Sequence, residues 1–247
     1  MIDWRRLTKD PTNVSVSRQI DQFLGSITRI EETSRMEMLL DFCRGKSVLD
    51  IGAAEHDTSF YSPESWEHEQ IRKVAMRAVA AEINPELCAH YNAKGFDFRC
   101  VDATSDADLG ERFDVAFAGD VIEHVNNPIA LLQFIKRHLK PGGHALLTTP
   151  NPFAPRFLMH RRRDRTRYVM ANLEHTMWLS LSNLHEICLR AGMEMHVIHW
   201  PLYKKRKSGF KRKLAILGKR LQLAVRPIEQ VFHEYAVEIR PVSERKD

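Results

Sequence analysis

The sequence predicts an α/β protein built on a doubly wound parallel sheet. Short apolar runs alternate with segments of helical periodicity along most of the chain. The apolar run that begins at Val48 leads through Asp50 to Gly52, a residue that lets the backbone turn sharply. Later runs end in the carboxylates of Glu82 and Asp102. Since ligands of open α/β sheets bind beyond the carboxyl ends of the strands, we expect these side chains to meet at one edge.

Composition restricts the class of protein further. Of the 247 residues, 43% are hydrophobic and 28% are charged, which is typical of a globular protein. No apolar stretch reaches the roughly 20 residues of a membrane span, and the first residues lack the apolar region of a signal peptide, so a cytoplasmic protein is expected. The four cysteines stand far apart among apolar neighbours and are expected to be reduced core residues: Cys43, Cys88, Cys100 and Cys188.

The order of elements follows from periodicity. Apolar residues recur at helical spacing from residue 16 to residue 42, so helices are expected throughout this range. The strands predicted after it are 48–51, 79–81, 96–101, 113–118, 145–149 and 193–200. Helical segments separate most of these strands, which indicates parallel pairing.

Glu82 closes the second of these strands. A carboxylate at this position can accept hydrogen bonds from both hydroxyls of a ribose diol. The spacing from Asp50 to Glu82 exceeds the roughly 20 residues of a dinucleotide-binding fold, so an insertion of about ten residues is expected between them. Trp66 and His68 belong to this insertion, and the sequence leaves open whether they line a pocket or cap a helix.

Six short motifs occur in the order found in one known family. They are Val48-Leu-Asp-Ile-Gly52, Glu82, Asp102-Ala103, Val121-Ile-Glu-His-Val125, Lys140-Pro-Gly-Gly143 and Thr149-Pro-Asn151. Over roughly residues 46–200 the chain resembles class I S-adenosylmethionine-dependent methyltransferases, and within them the branch of ubiquinone-biosynthesis O-methyltransferases and surface-polysaccharide methyltransferases. The resemblance implies a Rossmann-like, seven-stranded, mostly parallel sheet whose last strand, residues 232–239, is antiparallel.

The length of the chain favours one domain over residues 1–247, divided into four parts. They are N-terminal helices (1–45), a cofactor-binding core (46–200), a basic amphipathic insertion (201–226), and the last strand with a tail (227–247).

S-adenosylmethionine is the cofactor that the resemblance implies, and the motifs assign residues to it. Asp50 and Gly52 would border its methionine part, Glu82 would hold its ribose, Asp102 and Ala103 would meet its adenine, and Asp120 and Val121 would lie near its sulfonium. Ala53 and Ile83 belong to the same cofactor-binding set. The chain departs from the family at Gly52-Ala53-Ala54, where a Gly-x-Gly pattern is usual. The two alanines affect how closely the turn can approach the cofactor, and they do not affect the predicted fold.

Two histidines are candidates for the catalytic base. Methyl transfer is a displacement at carbon that depends on positioning, and a hydroxyl acceptor must also lose a proton to a base that works near pH 7. His124 follows the fourth strand beside the implied methyl position, and His175 is the second candidate. A structural role for His124 beneath the cofactor loop stays open. No metal site is predicted.

A long connection after the fifth strand is predicted to approach the acceptor. Residues 150–172 carry six arginines, among them Arg156 and Arg161. Loops of this length are usually functional lids or disordered segments. We expect Arg156 and Arg161 to bind an anionic group of the acceptor, such as a phosphate or carboxylate, through their guanidinium forks.

The basic insertion combines two patterns. Five apolar residues fall on one helical face: Phe210, Leu214, Leu217, Leu221 and Val225. Lysines and arginines flank them, and residues 201–223 contain no acid. Two interpretations stay open for residues 204–225, a helix lying on an anionic membrane surface and a hairpin whose apolar face packs on the core.

The sequence therefore predicts a cytoplasmic S-adenosylmethionine-dependent methyltransferase, with possible peripheral attachment to the inner face of the membrane. Its expected acceptor is an oxygen of a small molecule, a glycan or a lipid-linked glycan. An RNA methyltransferase and a non-catalytic S-adenosylmethionine-binding protein remain alternatives. Nucleic acid is disfavoured because residues 119–122 lack the Asn-Pro-Pro-aromatic motif of enzymes that methylate nucleobase amino groups. The sequence does not indicate the oligomeric state.

Overall fold

The structure is a computed structural model that describes residues 1–32, 34–54, 63–154, 157, 172–201 and 210–242. Its strands are β1 (Thr28–Glu32), β2 (Ser47–Ile51), β3 (Arg77–Glu82), β4 (Phe98–Cys100), β5 (Phe113–Gly119), β6 (Leu139–Pro150), β7 (Met193–Pro201) and β8 (Glu234–Pro241). Its α-helices are α1 (Val14–Ser26), α2 (Arg35–Cys43), α3 (Glu67–Val74), α4 (Pro85–Ala93), α5 (Pro128–His138), α6 (Leu181–Ala191) and α7 (Phe210–Leu223). Trp4–Arg6 and Ile228–Gln230 form short 3-10 helices.

These strands form one sheet in the order β1-β7-β8-β6-β5-β2-β3-β4. β8 runs antiparallel to both of its neighbours, and every other pair is parallel. The doubly wound, mostly parallel α/β class is thus confirmed, with eight strands instead of seven. From β2 the chain adds β3 and β4 on one side, and β5 and β6 lie on the other. The crevice between β2 and β5 is therefore the switch point at which such sheets bind ligands.

The additional strand lies within the range that was predicted to be helical. α1 ends at Ser26, and β1 then pairs in parallel with β7, with Ile30 opposite His199. The prediction of helix throughout residues 16–42 is wrong here. Ile27, Thr28 and Ile30 are β-branched residues that suit an edge strand, and apolar spacing alone does not separate a short strand from a helix.

Helices cover both faces of the sheet. α1, α5 and α6 pack on one face, against a core that contains Leu49, Ile51 and Leu147. α2 and α3 pack on the other face beside Val48 and Phe117, and α4 covers β3 and β4. Three of the four cysteines are buried as expected, but Cys100 at the end of β4 is exposed.

Asparagine caps start the two helices that follow β3 and β5. The Asn84 side chain accepts hydrogen bonds from the backbone N–H groups of Glu86 and Leu87, so α4 begins three residues after β3 ends. The Asn127 side chain accepts one from the Ala130 N–H at the start of α5. A proline occupies the first helical position of both helices. These caps fix where the chain leaves the sheet at its carboxyl edge.

The apolar stripe that begins in α7 faces outward, at least in the part whose side chains the structure describes. Leu217, Leu221 and Val225 are 55%, 65% and 79% exposed. Lys219 lies on the opposite side of the helix, where its ammonium donates to the Val231 carbonyl and lies 5.1 Å from the centre of the Phe232 ring. The hairpin interpretation, in which the stripe packs on the core, is therefore wrong for residues 217–225. Within the described ranges no helix combines the length and apolar character needed to cross a membrane.

Candidate functional site

Gly52 makes the turn that follows β2. Its φ angle is +66°, and a Cβ at this position would lie 2.7 Å from Cγ2 of Val121. Both the backbone conformation and this contact exclude a side chain. The Gly52 N–H donates to the Ala81 carbonyl at 2.9 Å, so the turn is tied to β3 as well. The loops that follow β2 and β5 thus meet at the switch point.

Asp50 and Ala53 are held by residues of the insertion before β3. Asp50 is buried, and its Oδ2 lies 2.8 Å from Nδ1 of His68, which is also buried. The Ala53 carbonyl accepts a hydrogen bond of 2.6 Å from the indole Nε1 of Trp66. Trp66 therefore contacts the turn after β2, and His68 contacts the strand that leads into it, which decides against a role limited to capping α3.

Glu82 and Asp102 lie at adjacent strand ends, as the sequence predicted. Glu82 Oε1 accepts a hydrogen bond of 2.9 Å from the Asn84 N–H, and Oε2 has no partner among the described residues. Asp102 is exposed, and its Oδ1 accepts 2.7 Å hydrogen bonds from the N–H and hydroxyl of Thr104. Ile83 is exposed and Ala103 is half-buried beside them. The edge thus offers the second carboxylate oxygen of Glu82, the exposed carboxylate of Asp102 and the apolar side chain of Ile83 to a ligand.

Asp120 follows β5 and has a φ angle of +54°. Among the described residues it is the one non-glycine residue with a positive φ. Such a conformation persists only where the surroundings enforce it. Thr148 provides part of that restraint, because its carbonyl and hydroxyl both accept from the Asp120 N–H at 3.1 Å. Arg35 adds to the restraint by donating from Nη1 to Asp120 Oδ2 at 2.7 Å.

Arg35 is a site residue that the sequence did not indicate. Its guanidinium is 3% exposed and contacts three carboxylates, those of Glu67 at 3.0 Å, Asp120 at 2.7 Å and Glu234 at 3.2 Å. Burial alone would lower the pKa of Arg35, but these carboxylates raise it above its usual value. A Cβ at Gly119 would lie 3.0 Å from Arg35 Nη2, so that glycine leaves room for the guanidinium. Arg35 therefore stays charged and fixes Asp120.

The two predicted catalytic histidines lie side by side. The rings of His124 and His175 are perpendicular, with their centres 4.7 Å apart. Glu123 lies behind them with Oε1 4.0 Å from His175 Nε2, and its Oε2 accepts from the Thr149 hydroxyl at 3.0 Å. The Thr176 N–H donates to the Glu123 carbonyl at 2.9 Å. This backbone contact joins the segment that carries His175 to the turn that carries His124.

Burial sets the protonation states of this cluster. Burial, and then the negative charge of the nearby Asp120, raise the pKa of Glu123 to about 7. Burial, and then the charge of His124, lower the pKa of His175. His175 is therefore mainly neutral at pH 7, which is the form of imidazole that accepts a proton.

The same cluster has the donor set of a metal site. Glu123, His124 and His175 each place one ligand atom within 4.8 Å of the others. Among the described residues, Glu123 Oε1 and His175 Nδ1 are buried without a hydrogen-bond partner. One carboxylate and two imidazoles suit a divalent transition metal, although the sequence predicted no metal. Metal binding and proton transfer compete, because a metal-bound imidazole nitrogen cannot accept a proton.

Aromatic and apolar residues border the histidines. Trp178 packs edge-on against His175 and Phe157, with ring centres 5.6 Å and 4.8 Å away. Phe153 and Leu173, close to these residues in the chain, are exposed. Arg156 and Arg161, the predicted acceptor-binding residues, lie outside the described residues. The described residues that border the two histidines are thus largely apolar or aromatic.

Replacing Glu123 with glutamine tests its protonation through stability. Because its folded-state pKa is raised from 4.5 to about 7, ionisation of Glu123 destabilises the fold. The wild-type protein should therefore lose ~3 kcal/mol relative to Glu123→Gln as the pH rises from about 4.5 to about 7, with no further change above that range. Urea unfolding of both proteins at a series of pH values measures this difference. A difference that does not vary with pH would contradict the assignment.

This sheet order and the carboxylates and glycine turn at its carboxyl edge are those of the class I S-adenosylmethionine-dependent methyltransferases, and the chain belongs to this class. Residues 28–197 match the family described as a methyltransferase domain, and the chain is a member of that family. S-adenosylmethionine is accordingly the cofactor that the site is expected to hold.

Relatives with named activities match parts of the chain. The ubiquinone biosynthesis O-methyltransferase of Cereibacter sphaeroides is 31% identical over 121 residues, which cover 47% of this chain and 45% of that protein. Its counterpart in Roseobacter denitrificans is 31% identical over 164 residues, or 57% and 62% of the two chains. The phosphoethanolamine N-methyltransferase of Triticum aestivum is 30% identical over 123 residues, or 48% and 23%. The matches thus span less than two thirds of each relative.

Solved structures resemble the fold over most of the chain. A methyltransferase from Archaeoglobus fulgidus has a TM-score of 0.54 and 16% identity, covering 83% of this chain and 90% of that one. A TehB-like methyltransferase from Corynebacterium glutamicum has a TM-score of 0.52 and 13% identity, covering 92% and 96%. At these identities the likeness is one of fold.

Proposed function

We propose that this protein transfers the methyl group of S-adenosylmethionine to an oxygen of a small-molecule, glycan or lipid-linked acceptor. The observation that carries the proposal is the ring contact between His124 and His175. His124 follows Asp120 and Val121 closely in the chain, and these two residues are proposed to lie near the sulfonium. A hydroxyl acceptor needs a neutral base at the position of the methyl group, and this pair supplies two imidazoles there.

The residues at the carboxyl edge fit S-adenosylmethionine. Glu82 offers its second carboxylate oxygen to a ribose, and exposed Ile83 offers an apolar surface to an adenine ring. When bound, the cofactor supplies an electrophilic methyl group on a positively charged sulfur. Asp120 lies at the switch point, and Arg35 fixes the position of its carboxylate. This carboxylate would place a negative charge near the sulfonium of the bound cofactor.

His124 is proposed to take the proton of the acceptor hydroxyl as the oxygen attacks the methyl carbon. His175 packs against His124 and keeps that ring in place, or takes the proton itself. Asp120 and Glu174 favour the imidazolium that forms, since the negative charge of each acts to raise the pKa of His175, and Glu174 Oε2 lies 3.9 Å from His124 Nδ1. Most of the rate enhancement would come from holding acceptor and cofactor in line.

An acceptor panel tests the reaction. The purified protein is incubated with S-adenosylmethionine and with phenols, free glycans, polyprenyl-linked glycans, amines or RNA, and release of S-adenosylhomocysteine is measured. A methyl ether identified by mass spectrometry supports the proposal. Methylation of nitrogen alone or of RNA alone contradicts O-methylation, and cofactor binding without turnover on any acceptor favours a non-catalytic binding protein.

We further propose that α7 docks the protein on an anionic membrane surface. The outward stripe of Leu217, Leu221 and Val225 is flanked by basic residues without a compensating acid in residues 201–223. An apolar stripe that serves only folding would face the core. Near an anionic leaflet each basic residue contributes up to ~1 kcal/mol, so a few of them suffice for reversible, salt-sensitive attachment.

The position of α7 favours a membrane-bound acceptor. Asn151, just beyond the end of β6, donates to the Phe232 carbonyl at 2.9 Å, and its N–H donates to the His233 carbonyl at 3.0 Å. The chain that returns from α7 is thus bound at the carboxyl edge of the sheet. A membrane touched by α7 would lie beside the edge that carries the proposed site.

Liposome sedimentation checks the docking proposal. Binding is expected to rise with the fraction of anionic lipid, to fall with salt, and to drop about 10- to 100-fold when Lys211, Arg212 and Lys213 become glutamines. Replacing Arg72 and Lys73 of α3 with glutamine is the control, because these exposed charges lie on another helix and should not matter. Equal binding to neutral and anionic vesicles contradicts the proposal, and binding to RNA alone favours the RNA methyltransferase.

A further inference from the structure

Three consecutive residues at the start of α3 contact three different parts of the proposed cofactor edge. Trp66 contacts the turn after β2, Glu67 contacts Arg35, and His68 contacts Asp50 within β2. Side chains that only stabilise one helix end would be expected to contact that helix. These residues instead direct their polar atoms to the strands and loops around the switch point.

Trp66 fixes the backbone of the turn. Its indole N–H donates to the Ala53 carbonyl at 2.6 Å, and its ring stacks on Tyr91 with centres 4.7 Å apart. Trp66 is 2% exposed, so this hydrogen bond forms away from water. Because the hydrogen bond is buried and its donor ring is packed in place, the Ala53 carbonyl is held in one orientation.

His68 fixes the strand that leads into the turn. Its Nδ1 lies 2.8 Å from Asp50 Oδ2, and neither side chain has appreciable exposure. A carboxylate is an acceptor, so the shared proton lies on Nδ1. The rings of Phe96 and Phe98 pack near the imidazole at 6.0 Å and 5.3 Å. His68 is thereby confined, and Asp50 with it.

Glu67 acts through Arg35. Its Oε2 accepts a hydrogen bond of 3.1 Å from Nη2 of Arg35, and its Oε1 lies 3.0 Å from Nε as an ion-pair contact. The remaining nitrogen, Nη1, donates to Asp120. Glu67 thus sets the direction from which Arg35 holds Asp120 in its positive-φ conformation.

We infer that Trp66, Glu67 and His68 are positioning residues that hold the turn 52–54 and Asp120 in the geometry that binds S-adenosylmethionine. The chain has Ala53 and Ala54 where the family usually has a second glycine, and in this structure neither alanine adopts a positive φ. Gly52 alone makes the turn, and the contacts from α3 fix its exit. The inference rests on the proposed position of the cofactor at this edge.

The test compares cofactor affinity with stability in matched variants. Trp66→Phe keeps the aromatic ring and removes only the N–H donor, and His68→Leu removes the partner of Asp50. The dissociation constant for S-adenosylhomocysteine, measured by calorimetry where every variant is folded, should rise about 3- to 10-fold in each. His68→Asn keeps an N–H donor and should restore most of the affinity. Glu69→Gln is the control, because among the described residues the ion pairs of Glu69 are those with Arg72 and Lys73 of α3.

The readouts separate positioning from simple stabilisation. A residue that only stabilises the fold lowers the urea midpoint but leaves the affinity of the folded molecules unchanged. Unchanged dissociation constants in Trp66→Phe and His68→Leu, with wild-type protein binding normally, would overturn the inference while the proposed function stands. Absence of binding by the wild-type protein would instead overturn the proposed function and the inference together.

Discussion

Replacing Glu82 with alanine is expected to weaken binding of S-adenosylhomocysteine by about 2–4 kcal/mol, or roughly 30- to 1000-fold. Glu82 has one oxygen bound by the Asn84 N–H and the other without a partner among the described residues. A ribose buried at this edge would lose the acceptor for its hydroxyls, and hydrogen bonds to a carboxylate are among the stronger ones. Isothermal titration calorimetry measures the change.

Two controls isolate the ribose contact from effects on folding. Glu82→Gln keeps an acceptor for the Asn84 N–H but removes the charge, so its affinity should fall between those of wild type and Glu82→Ala. Glu86→Ala, on the exposed side of α4, should bind as wild type does. Normal affinity in Glu82→Ala would remove Glu82 from the cofactor site.

Replacing His124 with alanine is expected to lower kcat by ~10²–10⁴ while leaving cofactor affinity nearly unchanged. The reason is that the acceptor hydroxyl loses its general base, whereas the contacts around Gly52 and Glu82 remain. Steady-state assays with the acceptor found in the panel, together with calorimetry, measure both quantities.

His175→Ala and chelation distinguish the possible roles of the histidine cluster. If His124 is the base, His175→Ala should reduce kcat less, and treatment with EDTA should leave activity unchanged. Loss of activity on chelation, restored by a divalent metal, would show that Glu123, His124 and His175 bind a metal instead. A small effect of His124→Ala on kcat would leave that residue a structural role.

The sequence predicted the parts of the molecule that depend on local rules. Strand-end positions follow from apolar runs bounded by carboxylates and glycines, so Glu82, Asp102 and Asp120 lie at one edge as expected. The turn at Gly52 was predictable from residue type, because only glycine accepts both its positive φ and the contact with Val121.

What the sequence did not predict depends on contacts between distant segments. Arg35 contacts Asp120 from 85 residues away, and an arginine at a helix start has no local mark of burial. His68 and Asp50 are 18 residues apart, across an insertion whose path the periodicity does not define. β1 is an edge strand of five residues whose pairing with β7 no local pattern reveals.

The antiparallel direction of β8 has a consequence for how this protein can diversify. β7 ends at the carboxyl edge of the sheet and β8 starts there, so the connection between them begins and ends at the same edge. A segment at such a hairpin connection can lengthen, shorten or be exchanged while the parallel strands keep their register. The parallel strands that carry the proposed cofactor site and the segment that carries α7 can therefore change independently during evolution.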